Sequence, residues 1–148
     1  MANSAEAGEA LTVARDLAEI VHHLGADSGT VHFLGADGLL HLEAATPGLP
    51  EPVLRAITTI PVGKGMAGLA VARGRPVDAC NIQTDATGDV RAGARATGLG
   101  GAIVVPMYRG EAVVGALGVG TREERTFSEQ EQAWLIGAGR ALAAGRAR

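Results

Sequence analysis

Apolar residues recur every three or four positions from Ala10 through Val13, Ala14, Leu17 and Val21 to Leu24, the stripe of a helix buried along one side. Asn3 can cap its start, with Glu6 reaching back three residues later, and Gly25 ends it after about five turns. His22 and His23 sit in the last turn, where partial positive charge suits the helix dipole. The period then changes to two. Ser28 to Leu34 and Leu39 to Ala45 alternate, and Asp37-Gly38 between them is a strong hairpin signal. Val31, Phe33, Leu40 and Leu42 are expected to face the core. His32, His41 and Glu43 then share the other face, close together across the strands, and are expected to be a solvated polar surface rather than a metal site. Pro47, Pro50 and Pro52 punctuate the exit, and Glu51 to Thr59 reads as one short helix with Val53, Leu54 and Ile57 on its apolar side.

A second hairpin follows later, Gly101 to Tyr108 and Ala112 to Gly120, joined through Arg109-Gly110. Here the alternation disappears, because both faces are apolar: Ile103, Val105 and Met107 on one, Ala102 and Val104 on the other. Strands of this kind must be covered on both sides. The last helix opens with a capping box, Ser128-x-x-Glu131, and carries Ala133, Trp134, Leu135, Ala138, Ala141 and Leu142 as its apolar side, with Arg140, Arg146 and Arg148 toward its C-terminal dipole. Gly137 and Gly139 inside that helix point to a neighbouring backbone at close range, a partner subunit among the candidates. The expected fold is therefore α+β: a central antiparallel sheet, the N- and C-terminal helices on one face, and the Glu51 to Gly98 region forming a lid on the other.

Between the hairpins lies Ile60 to Ala79. Gly63, Gly65 and Gly68 spell G-x-G-x-x-G, and Asp85 falls near the distance of a ribose-binding acid. The context excludes a dinucleotide site, since Pro61 interrupts a three-residue apolar run and Gly74 stops the helix opening at Met66 after about two turns. The glycines are expected to turn a corner and seat a short helix, with Gly74 as its left-handed cap. Cys80 to Gly98 then runs irregular and polar, the kind of long stretch that is functional when both its ends are tied to structure.

This middle region carries a resemblance. Val62-Gly63-Lys64-Gly65-Met66-Ala67-Gly68-Leu69-Ala70, then Gly74-Arg75-Pro76-Val77, resembles the middle of a GAF domain, the small-molecule sensing module of phosphodiesterases, histidine kinases and transcription regulators. Val105-Pro106-Met107, Gly115-Ala116-Leu117-Gly118 and Phe127-Ser128 with Glu131 and Leu135 follow in the family's order and at about its spacing. The resemblance covers nearly the whole chain and implies a single domain over residues 1–148, stand-alone and bacterial, with a ligand pocket beneath the lid. The chain departs from the family's best-characterised ligand classes. It lacks the Asn-Lys…Phe…Asp-Glu signature of the cyclic-nucleotide branch, and Cys80 precedes Asn81 rather than the histidine of a bilin attachment motif.

Composition narrows the function further. The chain of 148 residues suits one domain, which on folding buries about 68 to 70% of its unfolded surface. A net charge of −3 with both signs interspersed offers no basic field for nucleic acid and no polybasic face for a membrane. No apolar run approaches a spanning length and the N-terminus lacks a signal-peptide pattern, so a cytoplasmic location is expected. Arginine far outnumbers lysine, of which Lys64 is the only one.

Catalytic patterns are missing: there is no G-x-S-x-G, H-E-x-x-H, G-x-x-x-x-G-K-[ST] or C-x-x-C. The GAF branch that reduces free methionine sulfoxide uses several cysteines, and Cys80 alone cannot close that cycle within one chain. The expected function is a noncatalytic small-molecule sensor in signal transduction, without a cofactor, coupled to a signalling partner and dimeric through its terminal helices. The alternatives are a dimerisation or scaffold module, or a redox or metal sensor or methionine-sulfoxide-reductase-like enzyme using Cys80. The expected ligand is small and anionic or polar. Arg91 and Arg95 would hold it, four apart if 90–96 is helical, with Asn81, Gln83 and Asp85 orienting it and Thr97 adding a hydroxyl. Cys80 would line the pocket as an inert thiol, and Met66, Val105 and Met107 would form an apolar floor. The competing reading leaves both arginines solvated, or paired with Asp85 and Asp89 to hold the lid shut.

Overall fold

A computed structural model describes residues 4–90 and 92–146 of the chain. The expected Asn3–Glu6 cap, Arg91 and Arg148 lie outside what is described. Helix α1 (Ser4–His23) leads into the hairpin β1 (Ser28–Leu34) and β2 (Leu39–Ala45). Then come α2 (Glu51–Ala56), β3 (Thr59–Pro61), α3 (Gly65–Arg73), β4 (Val77–Ala79) and a 3-10 turn (Ala92–Thr97). The chain closes with β5 (Ala102–Arg109), β6 (Ala112–Gly120) and α4 (Glu129–Gly145).

The strands form one six-stranded sheet in the order β3-β2-β1-β6-β5-β4, with every pairing antiparallel. This is the α+β architecture expected from the sequence. Helices α1 and α4 share one face of it. Val13, Leu17, Ile20, Val21 and Leu24 of α1 and Leu135 and Leu142 of α4 join Val31, Phe33, Ile103, Val105, Met107, Leu117 and Val119 in one buried cluster. Each such aliphatic or aromatic side chain contributes about 1.5–3 kcal/mol when fully buried, so this layer carries most of the stability. The two helices also meet directly, with His23 stacked on Trp134 at 4.0 Å between ring centroids. The capping box of α4 is formed as its sequence demands: Ser128 Oγ accepts from the Glu131 amide at 3.1 Å, and Glu131 Oε1 accepts from the Ser128 amide at 2.9 Å.

Two departures from the sequence reading reposition residues near the lid. A bulge on β2 places Ala44 opposite Val31 but Leu42 opposite His32, so the face assignment changes partway along the hairpin. Leu40, opposite Leu34 and Ile60, and Leu42 therefore belong to the lid side rather than to the side of Val31 and Phe33. The α2 helix is also shorter than expected, because Thr59–Pro61 pairs with β2 as an edge strand, a place where proline is tolerated.

Three glycines at the start of α3 do mechanical work, as expected. Gly63 and Gly65 take positive φ of 92° and 66°, and a side chain on Gly68 would strike the carbonyl oxygen of Pro61. Gly139 gives α4 its close approach to β5, since a Cβ there would lie 3.0 Å from Met107 Cγ, whereas a Cβ on Gly137 meets nothing within 4 Å. The neighbour at Gly139 is thus this chain's own sheet.

A side chain on Gly115 of β6 would run into the backbone carbonyl of His32 and the Met107 methyl. Gly115→Ala is expected to lose about 1–3 kcal/mol of stability through overpacking. Gly137→Ala, placed in open space within a helix, should gain up to about 1 kcal/mol. Urea denaturation of the two variants measures both, and a neutral Gly115→Ala would contradict this packing.

Candidate functional site

Between the sheet and the lid lies a cavity of about 300 Å³. It exists because the side chains on this part of the sheet are small. Ser28, Gly29, Thr30, Ala102, Val104, Gly118 and Gly120 make its floor. Leu49, Val53, Ala56 and Ile57 wall it from around α2, Met66 and Ala67 from α3, and Ala94, Thr97 and Leu99 from the lid's second half. The lining is predominantly apolar, with Ser28, Thr30, His32, Lys64 and Thr97 as its polar side chains. A volume of this order and an apolar wall with a few polar groups are the usual features of a small-molecule site.

His32 is the residue that the alternation pattern misassigned. It is only 2% exposed, where a solvated surface was expected, because α2 covers it. Its Nε2 donates to the Ile57 carbonyl at 2.8 Å, fixing the end of α2 over the sheet. That bond places the proton on Nε2 and leaves Nδ1 a bare acceptor, which is buried without a partner among the described residues. Burial pushes the His32 pKa below the ordinary imidazole value, although the bond to Ile57 opposes the shift. His41 lies apart from it, exposed, paired with Asp37 at 2.8 Å.

Of the residues expected to bind a ligand, Met66 and Thr97 line the cavity. The Thr97 hydroxyl is engaged locally, donating to the Ala94 carbonyl at 2.7 Å and accepting from the Leu99 amide at 3.1 Å. Val105 and Met107 do not form the floor. They sit in the buried cluster beneath α1 and α4, and the cavity meets the even-numbered neighbours Ala102 and Val104. Cys80 is exposed and not among the lining residues, because Val77 and Ala79 of β4 turn inward and the next position in phase turns out.

The polar groups of the lid bond mainly to the lid. Gln83 Nε2 donates to the carbonyls of Arg95 at 3.2 Å and Leu99 at 2.9 Å. Arg95 in turn donates through Nε to the Ile82 carbonyl at 3.4 Å and through Nη2 to the Asp85 carbonyl at 3.1 Å. Asn81 accepts from the Gln83 amide and donates to Glu124, and the Asp85 carboxylate accepts from the amide and hydroxyl of Thr87. Arg73 of α3 forks onto both carboxylate oxygens of Asp89 at 3.0 and 3.1 Å, and this bond holds the Asp89 carboxyl below its usual range. Asn81, Gln83, Asp85 and Arg95 thus brace the lid, and Arg95 reaches the backbone of Asp85 rather than its carboxylate.

The chain's one lysine stands where the cavity meets α3. Lys64 occupies the N-cap position, no side chain caps the helix, and its first turn has no acidic residue. The amides of Gly65, Met66 and Ala67, which open the helix and line the cavity, have no protein acceptor among the described residues. Among the described residues, no group of three or more His, Cys, Asp or Glu side chains could hold a metal ion.

A single antiparallel sheet, with terminal helices on one face and a lidded cavity on the other, defines a compact class of α+β domain built around an internal site. The sequence matches the family model for the GAF domain over residues 10–145, and the chain belongs to that family. No curated protein matches the sequence. Among solved structures, it resembles a type II free methionine-R-sulfoxide reductase from Thermoplasma acidophilum, with 17% identity over 95% of this chain and 93% of that one and a TM-score of 0.76. The GAF domain of a phosphoenolpyruvate-protein phosphotransferase from Coxiella burnetii is similar at 20% identity, 93% and 81% coverage and a TM-score of 0.77. The GAF-B domain of DevS from Mycobacterium smegmatis is similar at 22% identity, 93% and 91% coverage and a TM-score of 0.69. At these identities the likeness is one of fold.

The buried imidazole makes stability depend on pH in a defined direction. The folded state keeps His32 neutral while the unfolded chain binds a proton near pH 6.5, so stability falls as pH drops below 6.5 and levels off below the folded-state pKa. In His32→Asn that part of the fall is expected to vanish. Urea denaturation of both proteins across this window measures it, and equal slopes would contradict the assignment.

Proposed function

We propose that this GAF domain is a noncatalytic small-molecule sensor of bacterial signal transduction that holds its ligand between the sheet and the lid. The observation that carries the reading is the apolar cavity of about 300 Å³ at that boundary, with few polar groups left unused around it. Cys80 supports a noncatalytic role, since it is the only cysteine, lies exposed, and lines none of the cavity. A thiol cycle of the methionine-sulfoxide-reductase kind needs a nucleophile at the substrate and a second thiol to resolve it.

Signal output would run through the terminal helices to a second copy and a downstream partner. Leu11, at 69% exposed, Trp134 at 38%, and the open positions Ala133, Gly137, Ala141, Ala144 and Gly145 support a homodimer on this side of the molecule. Among the described residues no helix is long and apolar enough to cross a membrane, and a cytoplasmic location fits this proposal.

Native mass spectrometry of freshly purified protein tests both parts together. The expected spectrum shows a dimer of the 15.0 kDa chain carrying additional small-molecule mass. Val104→Trp, which fills the cavity floor, should keep the dimer and lose the extra mass. A bare monomer, or extra mass equally retained by Val104→Trp, would contradict the proposal.

A further inference from the structure

The cavity's unused polar groups select a class of ligand. Resting on the reading of the cavity as the sensory site, we infer that it takes a small organic monocarboxylate with an apolar body bearing one hydrogen-bond donor. The carboxylate lies against Lys64 and the opening amides of α3, and the donor meets Nδ1 of His32.

Three observations converge on this chemistry. First, the mouth of the cavity is electropositive. The N-terminus of a nine-residue helix, uncapped and without an acidic residue in its first turn, presents the amides of Gly65, Met66 and Ala67. Lys64 is exposed beside them and has no ion-pair partner among the described residues. Helix dipole and ammonium act in the same direction on an anion. Second, His32 lines the same cavity with a buried, unpartnered acceptor, which costs free energy until a donor reaches it. As its other nitrogen donates to Ile57, the ring has only an acceptor to offer, so the ligand must supply the proton. Third, the remaining wall is aliphatic, and the volume of about 300 Å³ admits roughly ten water-sized groups at ~30 Å³ each. One ammonium and one helix end match a single negative charge. A phosphate would carry a second charge into an otherwise apolar space with nothing to balance it.

Arg95 and Arg73 have no part in this. Arg95 donates to Ile82 and Asp85 carbonyls, and Arg73 is held by Asp89, so Lys64 is the cation free to meet a ligand at this cavity among the described residues.

The experiment is calorimetric titration of the full chain, after removal of any copurified molecule by partial unfolding and refolding. The probes are 4-hydroxyphenylacetate, phenylacetate, 4-hydroxyphenylacetamide, hexanoate and inorganic phosphate. The carboxylates are expected to bind at least tenfold more tightly than the amide, 4-hydroxyphenylacetate more tightly than phenylacetate, and phosphate not at all. Lys64→Met should shrink the advantage of carboxylate over amide severalfold, the helix amides keeping the remainder, and Lys64→Arg should restore it. Being exposed, Lys64 tolerates both changes without loss of fold, and thermal unfolding checks this. His32→Asn should abolish the preference for the hydroxylated acid. Equal binding of carboxylate and amide, or a carboxylate preference undiminished in Lys64→Met, overturns this inference while leaving the cavity's sensory role intact. Failure of every organic probe to bind overturns the sensory reading and this inference together.

Discussion

Strands β5 and β6 are apolar on both faces, and the requirement to cover both faces shapes the rest of the molecule. One cover is conventional: α1 and α4 lay aliphatic stripes against Val105, Met107 and Leu117 and form a continuous core. The second cover is assembled from the short helices α2 and α3 and the polar 80–98 segment. It closes over the sheet without filling the space beneath, because the sheet there presents mainly glycine, alanine, serine and threonine. The cavity is what remains between two surfaces that must meet but cannot interdigitate.

A lid of this composition stays shut by hydrogen bonding to itself. Asn81, Gln83, Arg95 and Thr97 exchange bonds with backbone groups of the same segment, and Arg73 ties Asp89 to α3. A smaller apolar cluster of Ala79, Ile82 and Ala102, with Met66, Val90, Ala94 and Leu99 packed against it, seats the segment on the edge of the sheet. On the other side, the His32 bond to Ile57 holds α2 in place. These braces engage Asn81, Gln83, Asp85, Arg95 and Thr97, so the polar groups left open at the cavity are few and come from the start of α3 and from β1. In the proposed site, selectivity rests on the helix opening at Lys64 and on one buried imidazole.

The two hairpins and the two unequal covers of the sheet were legible in the sequence because each rests on a strong local signal: the period change at Ser28, the Asp37-Gly38 turn, and the Ser128–Glu131 capping box. The site was less legible, for identifiable reasons. His32 alternates correctly with Val31 and Phe33, but alternation alone does not say whether the second face meets water or a lid. The double-sided apolar character of β5, already noted from the sequence, was the signal that could have assigned it. The same character left no parity from which to choose Val104 over Val105. The β2 bulge shifted Leu40 and Leu42 to the other side, and no residue in Leu39 to Ala45 announces it. Polar density in 80–97 was read as ligand-binding capacity, whereas an irregular segment also needs those groups to satisfy its own backbone.

Ligand binding as proposed requires an open, apolar space between the sheet and the lid, and a crystal of the purified protein pressurised with xenon tests this most directly. Apolar cavities of this kind take up xenon when no other molecule occupies them. Density is expected between Val104 and Ile57, either a copurified organic molecule or xenon. A lid collapsed onto the sheet, with its own side chains filling the space and xenon absent, would contradict it.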